Sequence, residues 1–202
     1  LYRCRFRRLC RTSFAEISMT ECVSVFKLYD MAYRLLDEVT PRRYNCGSLC
    51  GAACCKNLSQ NPDSSAVPTG MLLLPYEKDY LQHAGADGFA YLCDTSHTDA
   101  DMLLCHGRCD RRFRPFACRI FPYYVSFDTK SAPLMRLRPD PRAVQICPLV
   151  SQRAVKRCTP RFIRHVKEAV RLLSYEPLIR EDLHKTAEFL DAMYDFYGKI
   201  VQ

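Results

Sequence analysis

The feature that most constrains this chain of 202 residues is a run of four cysteines within ten positions. They stand in the segment Cys46-Gly-Ser-Leu-Cys50-Gly-Ala-Ala-Cys54-Cys55. Cysteines that only fill a core are scattered singly, whereas close spacing lets several sulfurs converge on one ion without a long loop to close. The run therefore predicts thiolate ligation of a metal.

A second set of cysteines lies downstream and brings the candidate ligands to eight. The set consists of Cys105, Cys109, Cys118 and Cys147. Zinc and iron–sulfur clusters each take about four thiolates, so eight cysteines suffice for two sites, or for one site with spare core thiols. In an extended segment the adjacent Cys54 and Cys55 would point to opposite faces, which favours two sites or one polynuclear site.

Small residues separate the cysteines of the first run. They are Gly47, Gly51, Ala52 and Ala53. Such residues let the backbone fold tightly around an ion and aim amide N–H groups at thiolate sulfurs. The alternative is a glycine-rich turn whose cysteines are merely buried.

The overall composition indicates one soluble, cytoplasmic domain with reduced thiols. With 48% hydrophobic residues, a chain of this length can bury a single core. Thirteen cysteines are too sparse for a small disulfide-stapled secreted scaffold. No secretory signal is evident at the start, and the longest apolar run, residues 71–75, is too short to cross a bilayer. We therefore expect no membrane partner.

Half of the net charge of +8 lies in residues 1–18. Five arginines there, opposed only by Glu16, give this segment a net charge of +4. A basic tail can bind nucleic acid or membrane. The chain opens on Leu, however, and Met19 stands just before a well-formed amphipathic helix pattern. We expect residues 1–18 to be an extension of the reading frame and residues 19–202 to form the single functional domain.

Hydrophobic periodicity predicts an α+β fold with helices at both ends of the chain. Helices are expected over residues 20–40, 76–83 and 161–174 and from Pro177 onward, and strands over residues 71–74, 89–92, 102–104, 123–127 and 134–137. The last two strands would pair as a hairpin. Residues 42–70 are expected to be loop-like, and the Arg-Pro and Phe-Pro steps within residues 105–124 preclude a long helix there. Helices at both ends would thus flank a small, irregular centre that contains short strands and is held by cysteines and metal.

Arginines crowd the segment around the second cysteine set. They are Arg108, Arg111, Arg112, Arg114 and Arg119. Cationic neighbours lower thiol pKa values and offset the negative charge of a multi-thiolate site. The same arginines could instead hold an anionic ligand, or they could form solvated basic loops.

The other cysteines and histidines show no metal-pair spacing. Cys22, Cys93 and Cys158 stand alone and are expected to be packing residues or free thiols. His106 could replace a cysteine as ligand, although a role outside the ligand set is more usual. The chain has no P-loop, dinucleotide fingerprint or Gly-x-Ser-x-Gly motif. The Cys-x3-Cys-x2-Cys arrangement of radical S-adenosylmethionine enzymes is also missing, because position 53 is Ala.

Three motifs together resemble the bacterial YkgJ-like cysteine-cluster proteins, which are described as zinc- or iron-chelating domains. They are the run from Cys46 to Cys55, the segment Arg114-Pro-x-x-Cys118-Arg-x-Phe-Pro122, and Asp140-Pro-Arg142 followed by Cys147-Pro148. The resemblance covers roughly residues 40–150 and implies a similar metal site. Three residues precede the cysteine pair instead of the usual two, a spacing similar to the related flagellin lysine methylases. Those enzymes are thought to carry an iron–sulfur cluster and to transfer methyl groups.

Three functions follow from these observations. The leading hypothesis is a cytoplasmic metal-binding protein in which the eight cysteines ligate an iron–sulfur cluster or zinc. The second is a cluster-dependent methyl or group transferase that acts on a protein substrate, uses S-adenosylmethionine and binds an anionic cosubstrate through the arginines. The third is a zinc-stapled module that binds nucleic acid or protein. Its stacking aromatics, such as Phe113 and Phe121, are equally what a core beside a metal site needs, so nucleic acid is the less favoured partner.

Overall fold

The computed structural model describes residues 19–37, 39–42, 47, 50–56, 70–86, 90–93, 101–104, 110–128, 134–144, 146–151 and 158–198. The helices within these ranges are α1 (Met19–Asp37), α2 (Ala53–Lys56), α3 (Glu77–His83), α4 (Phe116–Ile120), α5 (Pro148–Ser151), α6 (Pro160–Leu173) and α7 (Pro177–Gly198). The strands are β1 (Gly70–Leu72), β2 (Ala90–Cys93), β3 (Asp101–Leu104), β4 (Tyr123–Phe127) and β5 (Met135–Pro139). Short 3-10 turns cover Arg111–Phe113 and Pro141–Ala143. The extension expected over residues 1–18 lies outside the described residues.

Helices α1 and α6 pack along each other and form the main layer of the core. The buried positions of α1 recur every three or four residues and include Tyr29, Ala32, Tyr33 and Leu36. Those of α6 follow the same period and are Phe162, Val166, Ala169, Val170 and Leu173. Full burial of one large apolar side chain stabilises a fold by about 1.5–3 kcal/mol. The buried faces of these two helices therefore supply much of the core.

Two antiparallel sheets complete the described structure. The first has the strand order β1-β3-β2, with Leu103 opposite both Met71 and Tyr91. The second is the β4–β5 hairpin, in which Val125 lies opposite Leu137. The α+β class, with helices at both ends of the described chain, is confirmed in this coarse form.

Helix α7 is tied to the hairpin by one carboxylate. Asp191 accepts hydrogen bonds from the hydroxyls of Tyr124 and Ser126, each at 2.7 Å, and from the Arg138 guanidinium at 3.0 Å. Both hydroxyls belong to β4, whereas Arg138 belongs to β5. The last helix is thereby attached to both strands of the hairpin.

Some element boundaries differ from the sequence prediction for identifiable reasons. Helix α1 ends at Asp37, where the Arg111 side chain donates to the carbonyls of Leu36, Asp37 and Val39. Strand β1 ends at Leu72, because the next turn is fixed by a hydrogen bond from the Leu74 N–H to the Glu77 carboxylate. Across the described residues, no helix has both the length and the apolar character that a membrane span requires.

Candidate metal centre

The described part of the first cysteine run is a tight turn that joins Cys50 to Cys54. The Ala52 N–H donates to the Gly47 carbonyl at 2.8 Å. Gly51 and Ala52 both adopt left-handed backbone, with φ of 61° and 56°. Only glycine adopts this conformation without a steric cost. Helix α2 begins at Ala53, so Cys54 lies in its first turn, and the tight fold expected from the small residues is present.

The prediction of an extended Cys54-Cys55 pair is wrong, because both residues lie in helix α2. Successive residues of an α-helix point about 100° apart, not to opposite faces. The expectation of two sites or one polynuclear site rested on an extended pair with side chains on opposite faces, and it therefore has no support from the conformation of Cys54 and Cys55.

Helix α4, which carries Cys118, is attached to the core at its first residue. Glu77 is completely buried, and its carboxylate accepts hydrogen bonds from the Phe116 N–H at 2.6 Å and the Leu74 N–H at 2.9 Å. The Tyr33 hydroxyl donates to the same carboxylate. Burial raises the pKa of Glu77, although these hydrogen bonds and the charge of Arg119 work in the opposite direction. Three donors thus hold one carboxylate in the core beside the Cys118 helix.

Arg119, the residue that follows Cys118, is held in place by several buried contacts. The Arg119 side chain is 2% exposed and donates to Asp37 at 2.6 Å. It also donates to three backbone carbonyls of the preceding turn, those of Arg111, Arg112 and Arg114. Its guanidinium lies 4.0 Å from the centre of the Tyr33 ring. Arg119 therefore fixes the loop before α4 against the end of α1.

The arginines of the segment around Cys118 differ in the contacts that they make. The Arg111 guanidinium donates to carbonyls at the end of α1, and the Arg119 guanidinium donates to Asp37 and to carbonyls of the preceding turn. Arg112 pairs with Asp110 on the surface, where its side chain is 76% exposed. Arg108 lies outside the described residues.

Cys147 is buried and is positioned by the turn that precedes it. Asp140, also buried, accepts a hydrogen bond from the Arg142 N–H at 2.9 Å and pairs with the Arg142 guanidinium. The turn ends where the Cys147 N–H donates to the Ala143 carbonyl at 2.8 Å. Pro148 then begins α5. The Asp140-Pro-Arg142 and Cys147-Pro148 motifs are thus one continuous support for the Cys147 thiol.

Cys158 packs against the core as expected, but it does not stand alone in space. Tyr123 is a neighbour of this residue, and each of the two side chains shifts the pKa of the other. Burial raises the pKa of the Cys158 thiol to about 11, and the Tyr123 side chain acts in the opposite direction. Burial also raises the pKa of Tyr123, with further contributions from Cys158 and Cys147. The phenol therefore lies within electrostatic range of both thiols.

Arg42 approaches the same phenol with a buried nitrogen. Its positive charge acts to lower the pKa of Tyr123, against the effects of burial and the two thiols. The Nε atom is buried and has no hydrogen-bond partner among the described residues. A guanidinium nitrogen shielded from water without an acceptor is costly, so this position suits a neighbouring negative charge.

The side chains of four of the eight predicted ligands are described. Cys50, Cys54 and Cys118 are half-buried, and Cys147 is buried. Cys46, Cys105, Cys109, His106 and the side chain of Cys55 lie outside the described residues. Among the side chains that are described, no three histidine, cysteine or acidic residues form a metal-binding group. The structure therefore brings Cys50 and Cys54 onto one turn without placing the full set.

Comparison with known proteins found no matching family model, no matching curated protein and no matching solved structure.

Proposed function

We propose that this protein binds an iron–sulfur cluster or zinc through its eight clustered cysteines. The ligands are Cys46, Cys50, Cys54, Cys55, Cys105, Cys109, Cys118 and Cys147. The observation that carries the proposal is the placement of four thiols within ten residues on a backbone that turns tightly at Gly51 and Ala52. The resemblance to the YkgJ-like cysteine-cluster proteins supports it.

The supports around Cys118 and Cys147 are the kind that a metal site needs. Ligands bind well when their backbone is fixed before the metal arrives. Glu77 holds the first residue of the Cys118 helix, Arg119 holds the loop before that helix, and Asp140 holds the turn before Cys147. Such buried polar networks would position thiols without contributing to the ligand set.

The metal would also complete the fold. Ligation would tie residues 46–147 into one unit and supply the cysteine-held centre expected between the terminal helices. Zinc bound by four thiolates is a structural ion, whereas an iron–sulfur cluster adds electron transfer. Reduced thiols are required in either case, which fits the cytoplasm.

The test is the metal content and visible spectrum of protein purified without oxygen. We expect either a brown protein that contains iron and sulfide or a colourless protein that contains zinc. The molar ratio of metal to protein then gives the number of sites. Cys50→Ser should lower this content, whereas Cys22→Ser, at a cysteine outside the set, should not. A folded wild-type protein free of both metals would overturn the proposal.

The transferase alternative has less support. It relied on the arginines to bind an anionic cosubstrate, yet Arg111 and Arg119 are occupied by carbonyls and Asp37. Calorimetry with S-adenosylmethionine under reducing conditions tests it directly. Saturable binding would favour the transferase, and its absence would count against a methyl transfer to a protein substrate.

The interaction-module alternative keeps only part of its aromatic surface. Phe116, Tyr123 and Tyr124 are buried in the core or against α7, so their rings cannot stack on bases, whereas Phe113 and Phe121 are half-buried. A zinc-stapled module would therefore have to recognise nucleic acid or protein through other residues.

A further inference from the structure

We infer that α1 and α6 together form a cationic face that binds the phosphate backbone of duplex DNA. The cationic face consists of Lys27 and Arg34 on α1 and of Arg164, Lys167 and Arg171 on α6. None of the eight proposed metal ligands lies on either helix, so this second binding function goes beyond the metal centre.

Each helix turns its cations away from the core. Lys27 and Arg34 are exposed and lie seven residues apart, which is close to two helical turns, so they point the same way. Arg164, Lys167 and Arg171 follow the three- and four-residue spacing of one helix face, on which both arginines are exposed and the lysine is half-buried. The buried positions of both helices lie on their opposite sides, in the core.

The two rows of cations run side by side in opposite directions. The Thr159 N–H donates to the Pro41 carbonyl at 3.1 Å, and the His165 Nδ1 donates to the Leu35 carbonyl at 2.7 Å. The start of α6 therefore lies beside the end of α1, which makes the helices antiparallel. Packed helices have axes about 8–10 Å apart, and seven residues of helix rise about 10.5 Å. The cations thus surround an area of roughly 10 Å in each direction.

Acidic side chains do not neutralise the cationic face. Asp30 of α1 accepts a hydrogen bond from the Tyr80 hydroxyl at 2.9 Å, and Asp37 pairs with Arg119 at 2.6 Å. Within the described part of the chain, no ion pair includes any of the five cations. Counting Glu168 of α6 against them, the face still carries a net charge of +4. Such a surface attracts a polyanion.

The size of the cationic face fits the two phosphate rows that border a DNA groove. The major groove of B-DNA is about 12 Å wide, so each row of cations can reach one strand. The major groove of an RNA duplex is narrow, and its phosphate rows fit this spacing less well. Contacts with phosphates supply affinity without reading the base sequence. We therefore expect binding that depends strongly on salt and little on sequence.

The same face is poorly suited to single strands and to membranes. Single strands are bound by aromatic rings that stack on bases, and membrane-surface helices insert a row of apolar side chains. Met31 is the one exposed large apolar side chain that the structure describes on α1 or α6. One methionine provides neither a stacking surface nor an apolar row, which favours duplex DNA.

The experiment measures binding of the full chain to a short, fluorescently labelled DNA duplex by anisotropy over a series of salt concentrations. The face variant combines Arg164→Gln, Lys167→Gln and Arg171→Gln. The control removes the same charge from exposed cations elsewhere, by Arg112→Gln, Arg136→Gln and Lys185→Gln. All variants keep the net charge of +4 in residues 1–18, so a difference between them cannot come from that segment. Circular dichroism checks folding.

Each phosphate contact adds about 0.9 to the slope of log affinity against log salt concentration. We expect the face variant to lower this slope by about 2–3 and to weaken binding at least about tenfold, and the control to keep the wild-type slope. The double variant Lys27→Gln and Arg34→Gln tests the α1 row separately and should lower the slope by about 2.

Equal weakening in the face variant and the control would attribute binding to net charge and overturn the inference. Tighter binding to an RNA duplex of the same sequence, or to phosphatidylserine vesicles, would also overturn it, as would a wild-type protein that binds no duplex. The metal content of the face variant should equal that of the wild type. A failure of the proposed metal-binding function is therefore seen independently of this result.

Discussion

The Glu77 carboxylate accepts a hydrogen bond from the Phe116 N–H at 2.6 Å, and both residues are buried. Glu77 is the first residue of α3, and Phe116 begins the helix that carries Cys118. Tyr33 of α1 and the Leu74 N–H donate to the same carboxylate. One buried acid therefore joins the main helical layer, the end of the first sheet and the Cys118 helix.

Glu77→Gln should destabilise the protein, because a side-chain amide replaces one acceptor oxygen with an NH2 group that faces backbone donors. Burial raises the Glu77 pKa, but three donors oriented toward its oxygens cannot all be satisfied by glutamine. An unsatisfied buried donor costs about 1–3 kcal/mol. We expect a loss of that size in the free energy of unfolding measured with urea. The control is Glu181→Gln on the surface of α7, where the acid pairs with Lys185. Equal urea midpoints for Glu77→Gln and the wild type would show that the carboxylate does not anchor α4.

Arg119→Lys should weaken the loop before α4 although it keeps the charge. An ammonium group cannot reproduce the guanidinium contacts with Asp37, with three carbonyls and with the Tyr33 ring. We expect a decrease of about 2 kcal/mol in the free energy of unfolding, since breaking a buried polar network is among the costly single changes. Proteolysis should also become faster at the arginine-rich segment.

The matched control for Arg119→Lys is Arg112→Lys, because Arg112 makes its ion pair on the surface. This change should leave both the urea midpoint and the rate of proteolysis close to those of the wild type. If the two lysine variants behaved alike, the contacts of Arg119 would contribute nothing to stability.

The regular elements were predictable because their signals are local. Helices α6 and α7 follow a continuous apolar period, and Thr159 caps α6 through the Phe162 N–H at 3.3 Å. The hairpin of β4 and β5 follows from two β-rich runs around a turn segment. The short helices α2, α4 and α5 were missed, since runs of four or five residues carry no helical period.

The buried contacts that position the candidate site were not predictable, because the residues that make them lie far apart in the sequence. Glu77 meets Phe116 across 39 positions and Arg119 meets Asp37 across 82, and no local pattern encodes such pairs. The sequence spacing selected cysteines that are close along the chain. It could not show that Cys158 packs against the core that contains Tyr123.

Asp182→Asn should stabilise the protein at neutral pH and lose this effect in acid. Burial raises the pKa of Asp182 from 3.8 to about 6, so the folded state favours the neutral carboxyl. Above pH 6 the charged side chain opposes folding, and below about pH 3.8 it is neutral in both states. One pKa unit corresponds to about 1.4 kcal/mol, and partial exposure to water reduces the effect, so we expect a gain of roughly 1–2 kcal/mol at pH 7.

Urea unfolding of wild type and Asp182→Asn at pH 7, pH 5 and pH 3.5 measures this dependence. The advantage of the variant should shrink through the middle value and vanish at the lowest. Glu188→Gln removes a charge from an exposed position of the same helix and serves as the control. An advantage that stayed constant with pH would mean that ionisation of Asp182 is not its cause.

Adjacent substitutions in the first cysteine turn should change stability in opposite directions. Gly51→Ala places a Cβ in left-handed backbone and should cost about 1 kcal/mol, whereas Ala52→Gly removes such a Cβ and should stabilise by up to about 1 kcal/mol. Both values are to be measured by urea unfolding of metal-free protein, in the presence of a chelator. If this turn positions Cys50 and Cys54 for a metal, affinity should also fall in Gly51→Ala and be kept in Ala52→Gly. Two changes of the same sign would contradict the left-handed geometry at one of the two positions, because both follow from the same positive φ.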